Sequence, residues 1–336
     1  MTTQPSRRDL LSFRSSREKK TDRNVCATGR HLCVSRRAMA CDFSLLVPAQ
    51  CRRAVDAGCA ALDEVERLES KLSAYRADSD LSYMNRNACQ APVVVDDEVF
   101  VLCQRAAQIT GETGGAFDIA TGYLTKAWGF FRGPKRVPSQ GELEAALAAS
   151  GMAQVELEPA KRTVRYRRPG LEVNPGSIGK GYAIDRALER IRGVRCALMQ
   201  GGQSSLKAVG APPDEPRGWR VAIGDPDRPG RAVATVWLKN RALGTSGAAN
   251  QYFIEGGRRY GHVLDPRTGW PADQLASASA LASSAAEADA LSTAFFVMGV
   301  EGTRQYCLRH PEAGAVLVTK PGECEVIGLN DMEVEL

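Results

Sequence analysis

Side chains capable of acid–base and metal chemistry concentrate in two neighbouring segments towards the C-terminal end of the chain. The first runs from Tyr260 to Gly269 and holds a histidine, His262, with a carboxylate and an arginine within six residues. In the second, Asp289 and Thr293 are four residues apart, so they share one face of a predicted helix. A carboxylate and a hydroxyl on one helical face supply oxygen ligands of the kind that Mg²⁺ prefers. The alternative is a structural pair, in which Asp289 favours the helix N-terminus and Thr293 packs.

Two further segments are suited to binding an anion. Residues 172–185 read as a strand, a glycine-rich turn from Asn174 to Gly181, and a helix. A helix that begins at such a turn presents unpaired N–H groups to a phosphate. Leu243 to Gly247 is a run of small residues that predicts a second turn able to approach phosphate oxygens. Neither segment has the glycine spacing of a Rossmann fold or a P-loop, so those modes of nucleotide binding are excluded.

Two loops nearer the N-terminus are candidates for contact with a ligand. Tyr75 lies in a polar loop and could stack on a ligand ring, although an ordinary surface or packing tyrosine is the simpler interpretation. Residues 113–122 contain Gly114 and Gly115 beside a phenylalanine and an aspartate, which would let the backbone approach a ligand closely. An ordinary tight connection explains the same glycines.

The elements that must position these residues mix helices and strands without strict alternation. Apolar residues at helical spacing, and a capping box formed by Ser139 and Glu142, predict helices over residues 52–72, 97–110, 139–150 and 289–298. Alternating or short apolar runs predict strands over residues 38–47, 155–157, 163–166, 196–199, 219–226, 232–238, 315–318 and 324–327. We therefore expect one α+β domain.

Composition excludes several classes of function. The chain has 336 residues, of which 43% are hydrophobic and 25% charged, as in globular proteins. It contains no run of about 18 apolar residues, so no transmembrane helix is expected. The net charge is +5, but residues 1–37 hold ten Lys and Arg against three Asp and Glu, and the remainder holds 34 against 36. The basic charge therefore belongs to the N-terminal end, which argues against a nucleic-acid-binding face on the fold.

The N-terminal end is interpreted as an extension of the folded domain. Residues 6–11 resemble a twin-arginine export signal, but further basic residues follow where an apolar region would stand. The ten cysteines are scattered without a Cys-x-x-Cys pair, so neither zinc binding nor disulfides are expected. We predict a basic, disordered extension over residues 1–37, a folded domain over residues 38–336, and a cytoplasmic protein.

The motifs, taken in order, resemble those of the ApbE-type flavin transferases, the FAD:protein FMN transferases. The resemblance spans roughly residues 38–330. The matching residues are Ser73-Ala74-Tyr75 with Asp78-Ser79, Thr113 with Gly115-Ala116-Phe117-Asp118, Gly176, Ile178, Lys180-Gly181-Tyr182-Ala183 with Asp185, Gly201-Gly202, Thr245-Ser246-Gly247, His262 with Asp265-Pro266 and Thr268-Gly269, and Ala288-Asp289-Ala290-Leu291 with Thr293.

The resemblance implies a fold and an activity. Members of this family have a T-shaped α+β domain with mixed or antiparallel sheets and packed helices, bind FAD and require Mg²⁺. They cleave the FAD pyrophosphate, attach FMN through a phosphoester to a Thr or Ser of a partner protein, and release AMP. The resemblance does not indicate an oligomeric state or a particular acceptor.

The same resemblance assigns roles to individual residues. It implies that Mg²⁺ is held by the backbone carbonyl of Ser177 and the side chains of Asp289 and Thr293. His262 would take the proton from the attacking hydroxyl, because imidazole titrates near neutral pH; hydrogen bonding within its own loop is the alternative. The residues implied to line FAD are Met39, Tyr75, Ala116, Phe117, Asp118, Asn174, Lys180, Ser246, Gly247 and Leu264.

Several positions depart from the family pattern. Asn174 stands where the family usually has Asp, Gln203 where it tends to have Asn, and Ala248 where an acidic residue often follows Thr-Ser-Gly. Met39-Ala40-Cys41 replaces Met-Gly-Thr. These departures keep two other hypotheses open. One is an FAD-binding flavin carrier without transferase activity, and the other is an FAD pyrophosphatase that uses water as acceptor.

Overall fold

An antiparallel sheet forms the centre of the protein. The computed structural model describes residues 24–28, 30–51, 53–191, 193–248 and 251–336. Within these ranges the large sheet has nine strands, and every neighbouring pair runs antiparallel. In spatial order they are β1 (Asn24–Thr28), β2 (His31–Ala38), β3 (Cys41–Pro48), β7 (Ala197–Gly201), β8 (Ser205–Val209), β11 (Ala242–Gly247), β14 (Ser277–Ala282), β15 (Gly314–Lys320) and β16 (Glu323–Ile327).

Helices cover one face of this sheet, and a small sheet packs on the other. The helices are α1 (Ala54–Leu72), α2 (Asp80–Asn87), α3 (Asp97–Glu112), α4 (Gly122–Ala127), α5 (Gln140–Ala148), α6 (Gly179–Arg190) and α7 (Ala285–Arg309). The helices α1, α6 and α7 pack on the large sheet, and α6 also packs against both α1 and α7. The opposite face buries apolar side chains against β9 (Trp219–Gly224), β10 (Ala232–Leu238) and β17 (Val334–Glu335). Within the described ranges no helix has the length and apolarity needed to cross a membrane.

Two smaller pieces complete the fold. One is a three-stranded sheet of β4 (Val93–Val94), β5 (Val155–Glu158) and β6 (Thr163–Tyr166), and the other is a hairpin of β12 (Tyr252–Glu255) and β13 (Arg258–Gly261). A separate apolar cluster joins the hairpin to α4 and α5. It is centred on the fully buried Trp128, whose indole N–H donates to the carbonyl of Gly269 at 2.8 Å.

The long helix α7 is placed by two close backbone contacts. A Cβ atom on Gly181 of α6 would lie 2.0 Å from the carbonyl oxygen of Ala285, and one on Gly244 of β11 would lie 2.2 Å from that of Ala288. Only glycine fits at either contact. The first turns of α7 are therefore clamped between α6 and the sheet, and nearly every side chain from Ala285 to Ala294 is buried.

Much of the predicted architecture is confirmed. The chain forms an α+β fold with antiparallel sheets, α1 and α3 lie where periodicity placed them, and residues 155–166 form the predicted hairpin. The Ser139 hydroxyl accepts from the N–H of Glu142, whose carboxylate accepts from the N–H of Ser139, so the capping box is present.

Three predictions are wrong. The boundary at residue 38 is too late, because β1 and β2 precede it and β2 pairs along its whole length with β3. The basic residues of β2 make this segment resemble a solvated tail in the sequence. In the structure Arg36 is buried and paired with Asp63 and Glu66, each at 2.8 Å. Residues 1–23 of the predicted extension lie outside the described residues.

The other two errors involve small residues. Leu243 to Gly247 forms part of the central strand β11 and not a turn, because its small residues make room for α7. The helix predicted from Asp289 begins earlier, at Ala285, where the Ser284 hydroxyl accepts from the N–H of Glu287. Alanine and serine give no clear hydrophobic periodicity, so the sequence pattern predicts neither strand β11 nor the true start of α7.

The hairpin turn between β2 and β3 contains two strained residues. Met39 and Ala40 have φ angles of 48° and 61° and join the paired residues Ala38 and Cys41. This is the geometry of a type I′ turn, which favours glycine or asparagine. We therefore expect Ala40→Gly to raise the free energy of unfolding by about 1 kcal/mol, measured by urea denaturation.

A matched control makes the same change in a helix. Ala145 is exposed in α5. Ala145→Gly should lower the free energy of unfolding by about 1 kcal/mol. If Ala40→Gly lowered the free energy of unfolding as Ala145→Gly does, the interpretation of the turn as strained would be wrong.

Candidate active site

A buried carboxylate forms the centre of the candidate site. Asp289 is only 5% exposed, and its Oδ2 accepts the backbone N–H of Gly181 at 2.7 Å. The ammonium of Lys180 lies 4.0 Å from the same oxygen, and the Ser205 hydroxyl donates to the carboxylate. Burial raises the pKa of Asp289, while Lys180 and these hydrogen bonds oppose the shift. Because Lys180, at 4.0 Å, is the positive group beside this buried carboxylate, binding of a further cation here would be favourable.

Hydroxyl groups lie on the same stretch of α7 as this carboxylate, and the Ser292 hydroxyl donates to the backbone carbonyl of Asp289 at 2.8 Å. The Oγ1 of Thr293 is 3.1 Å from the Oγ of Ser246, which is 2.8 Å from the Oγ of Ser292. We call Ser246, Ser292 and Thr293 the hydroxyl cluster. It joins β11 to the same stretch of α7 that carries Asp289.

The turn before α6 approaches the same helix. Pro175 to Ser177 form one 3₁₀ turn that packs against α7, and the Asn174 Oδ1 accepts the N–H of Gly176 at 3.1 Å. Within the described ranges no group of three or more His, Cys, Asp or Glu side chains is placed to bind a metal ion. A cation here would rely on Asp289 together with hydroxyl and carbonyl oxygens. An all-oxygen set of this kind fits Mg²⁺, which is a hard ion.

Lys180 connects this carboxylate to two other groups. Its charge lowers the pKa of both Cys41 and His262, so all of them share one electrostatic environment. Burial nevertheless raises the pKa of the Cys41 thiol to about 11, so Cys41 stays protonated at neutral pH. Met39, in the strained turn, lies two residues from Cys41 and packs against the main core.

His262 is held as a neutral base. Its Nδ1 lies 3.2 Å from the carbonyl oxygen of Gln251, which also accepts the backbone N–H of His262 at 3.1 Å. A carbonyl oxygen only accepts, so Nδ1 carries the hydrogen and Nε2 keeps its lone pair. Burial lowers the pKa of His262, with the charges of Lys135 and Lys180 acting in the same direction. The imidazole is therefore able to accept a proton at neutral pH.

A cavity of about 250 Å³ opens beside the turn before α6. Tyr75 and Asn174 line it, together with Phe131 and Arg132. Tyr75 is 59% exposed, and its ring lies 4.8 Å from that of Phe131. The Arg132 guanidinium lies over both rings and donates to the carbonyl of Tyr75 at 2.5 Å. An exposed aromatic ring beside cations suits a ligand that carries both a flat ring and phosphate.

Comparison with known proteins shows the family of the chain. A sequence profile described as the ApbE family matches residues 39–317. The chain belongs to the ApbE family. The protein named FAD:protein FMN transferase from Treponema pallidum is 33% identical over 279 residues, which cover 77% of this chain and 77% of the relative. The protein of the same name from Escherichia coli K12 is 30% identical over 261 residues, which cover 75% and 73%.

Solved structures of ApbE proteins share the fold. The ApbE protein of Thermotoga maritima superposes with a TM-score of 0.80 at 30% identity, covering 88% of this chain and 97% of that chain. The flavin transferase ApbE from Vibrio cholerae superposes with a TM-score of 0.77 at 25% identity, covering 91% and 97%.

Other residues predicted from the ApbE resemblance lie deeper in the protein. The side chains of Ala116 and Phe117 are fully buried, so these residues can offer only backbone groups to a ligand. Both carboxylate oxygens of Asp118 accept backbone N–H groups, from Ala120 at 2.7 Å and Met152 at 2.8 Å. Burial raises the pKa of Asp118.

The remaining predicted residues lie on two different elements. Gly247 ends β11 one residue beyond Ser246, beside β14. Leu264 packs against the cluster around Trp128. Next to it, Asp265 receives two hydrogen bonds from the Arg267 guanidinium, both at 2.8 Å. Asp265 and Arg267 therefore stabilise the loop of this ApbE chain, while His262 keeps its Nε2 available for proton transfer.

Sequence reasoning missed two hydroxyls of the site. Ser205 is fully buried on β8 and donates to Asp289, and Ser292 belongs to the hydroxyl cluster. Serine is so common in connecting segments that neither residue stands out in the sequence. For Ser292 one signal is present, since it lies beside Thr293, a residue that the ApbE resemblance selects.

Proposed function

We propose that this chain is an FAD:protein FMN transferase that cleaves the FAD pyrophosphate, attaches FMN to a Thr or Ser hydroxyl of a partner protein and releases AMP. The observation that carries the proposal is the buried carboxylate of Asp289 beside Lys180, on the helix that also carries two members of the hydroxyl cluster, in a chain whose relatives bear that name. Cleavage of a phosphoanhydride requires neutralisation of negative charge; Lys180 offers one positive charge, and the Asp289 carboxylate would hold a cation that supplies more.

Magnesium fits the oxygen donors of the site. Asp289, Thr293 and the carbonyl of Ser177 would hold the ion. When bound, Mg²⁺ supplies charge neutralisation for the phosphate oxygens of FAD. Lys180, whose ammonium lies 4.0 Å from the Asp289 carboxylate, would add a further positive charge for the phosphates of FAD.

The transfer itself requires a base and a leaving group. The acceptor hydroxyl oxygen forms a bond to the phosphorus of the FMN half, and the bond from that phosphorus to the bridging oxygen breaks. AMP leaves with the bridging oxygen. The proton of the hydroxyl moves to Nε2 of His262, which is the ring nitrogen left free by the hydrogen bond from Nδ1 to Gln251.

The substitution at Asn174 does not remove the structure of the turn. Its side-chain oxygen accepts the N–H of Gly176, as an aspartate oxygen would. The turn that presents Ser177 to α7 is therefore retained, and the altered sequence gives no support to a carrier that has lost its activity.

Tyr75 provides a test of FAD binding. We expect Tyr75→Ala to raise the dissociation constant for FAD about tenfold or more, because stacking of a base on an aromatic ring contributes roughly 1–3 kcal/mol. Tyr75→Phe should bind normally, since the ring is kept. Fluorescence titration measures the constant.

A second exposed tyrosine serves as the control for that substitution. Tyr83 is exposed on α2 and does not line the cavity. If Tyr83→Ala weakened FAD binding as much as Tyr75→Ala, the ligand ring would have been assigned to the wrong tyrosine.

The proposed function is tested with an acceptor. The purified chain is incubated with FAD, Mg²⁺ and a flavinylatable acceptor domain, and with the same domain carrying valine in place of its threonine. Flavin fluorescence in a denaturing gel should appear only on the threonine form. AMP without a fluorescent band would indicate the pyrophosphatase, and bound FAD without AMP would indicate the carrier.

A further inference from the structure

A second carboxylate, Asp185, lies where α6 meets α7. Its Oδ1 accepts the N–H of Ala285 at 3.0 Å, and its Oδ2 accepts the N–H of Ala286 at 2.9 Å and the hydroxyl of Ser284 at 3.0 Å. These donors are the N-cap residue and the first two residues of α7. An aspartate of one helix therefore satisfies the unpaired groups at the start of the next.

The interaction is reciprocal. The N–H of Gly181, in the first turn of α6, donates to Asp289 on α7, while the N–H groups in the first turn of α7 donate to Asp185 on α6. The two helices touch at Gly181 and Ala285, and each carboxylate lies four residues after the contact residue of its own helix. A relative shift of the helices would break both sets of hydrogen bonds together.

The charge of Asp185 is neutralised separately from that of Asp289. The ammonium of Lys207, on β8, lies 2.6 Å from the Oδ1 of Asp185. The same strand carries Ser205, which donates to Asp289. Lys180, at 4.0 Å from Asp289, remains beside the carboxylate of the candidate site. The elements α6, α7 and β8 therefore meet at Asp185, and the same three meet at Asp289.

We propose that Asp185 is a positioning residue that fixes the register of α7 on α6 and thereby places Asp289 and Thr293 opposite the Ser177 turn. The inference rests on the proposed function, because it concerns the geometry of the proposed cation site. Asp185 does not touch substrate or ion; it holds the helix that carries the ligands. Residues that support metal ligands in this way typically change metal affinity ten- to hundredfold when they are replaced.

The test measures cation binding directly. Asp185→Asn removes the charge and presents an amide N–H₂ to donors, and Asp185→Glu keeps the charge but displaces it by one methylene. Mn²⁺ binding to the full chain, followed by electron paramagnetic resonance, serves as the probe, and Mg²⁺ binding is followed by calorimetry. We expect both dissociation constants to rise roughly tenfold or more in each variant.

Two further variants separate positioning from stability. Tyr182→Phe removes the hydrogen bond from the Tyr182 hydroxyl to Glu98 at 2.5 Å, a contact of α6 with α3 and not with α7. It should lower the melting temperature without changing Mn²⁺ affinity. Ser284→Ala removes one donor to Asp185 together with the cap that accepts the N–H of Glu287, but it leaves the charge of Asp185 in place, so it keeps the test informative if the Asp185 variants do not fold. It should raise the Mn²⁺ dissociation constant about threefold, since most donors remain.

The outcomes distinguish this inference from the proposed function. Asp185 variants that melt earlier but bind Mn²⁺ like the unmodified chain would overturn the inference, as would a chain that binds no Mn²⁺ at all. An unmodified chain that binds Mn²⁺ in an Asp185-dependent manner but never flavinylates an acceptor would refute the proposed function alone.

Discussion

Asp289→Asn is expected to lower the rate of AMP release from FAD about a thousandfold, while the protein remains folded. The amide oxygen can still accept the N–H of Gly181, which lies 2.7 Å from the carboxylate. The negative charge that would hold Mg²⁺ is lost, and metal neutralisation of phosphate charge contributes several kcal/mol, at about 1.4 kcal/mol for each tenfold change in rate. The measurement is AMP release at saturating FAD over a range of Mg²⁺ concentrations.

Another buried carboxylate on the same helix provides the control. Glu287 is also buried on α7, but its partner is Arg105 at 3.3 Å, and it does not contact the hydroxyl cluster. Glu287→Gln should leave AMP release within about twofold, because it removes no ligand or substrate contact. If Asp289→Asn retained full activity with Mg²⁺ present, the assignment of the cation site would be wrong.

His262→Ala is expected to lower FMN transfer by roughly 10²–10⁴-fold, the usual contribution of a positioned base, with little change in FAD affinity. The measurement is the initial rate of acceptor labelling, together with a fluorescence titration for FAD. Among the three histidines of the chain, His310 stacks on Tyr306 at 4.2 Å and serves as the control. His310→Ala should leave both the rate of acceptor labelling and the affinity for FAD unchanged.

The same base predicts a pH dependence. Burial lowers the pKa of His262 below its ordinary value of 6.5, so the neutral form that accepts a proton is already present at pH 6.5 and above. In the unmodified protein kcat/KM should therefore fall only as the pH drops below 6.5. That acidic limb should disappear in His262→Ala. Equal loss of FAD binding and of transfer in this variant would instead make His262 a binding or structural residue.

The sequence predicts the fold class and the family but not the full extent of the sheet. Amphipathic helices such as α1 carry a clear periodic signal, and the Ser139 capping box marks the start of α5. Strands made of alanine, serine and glycine, such as β11 and β14, carry almost none, because they are selected for close contact with α7 rather than for apolar bulk.

The candidate site is only partly predictable from the sequence. The residue types and spacing of Asp289 and Thr293 allow a metal site or a structural pair, and the resemblance to the family favours the metal site and a base at His262. The roles of Ser205 and Asp185 depend on contacts between distant segments, which spacing along the chain does not show. The roles assigned to the FAD-lining residues stay predictions, and burial limits Phe117 to backbone contact.

The ratio of AMP released to FMN bound covalently tests the central claim most directly. FAD, Mg²⁺ and the full chain are incubated with and without a threonine-containing acceptor, and AMP is quantified beside the mass of the intact acceptor. We predict one AMP for each FMN attached to the acceptor, and little AMP when the acceptor is absent. Release of AMP with free FMN at the same rate in both reactions would contradict transfer and show that water is the acceptor.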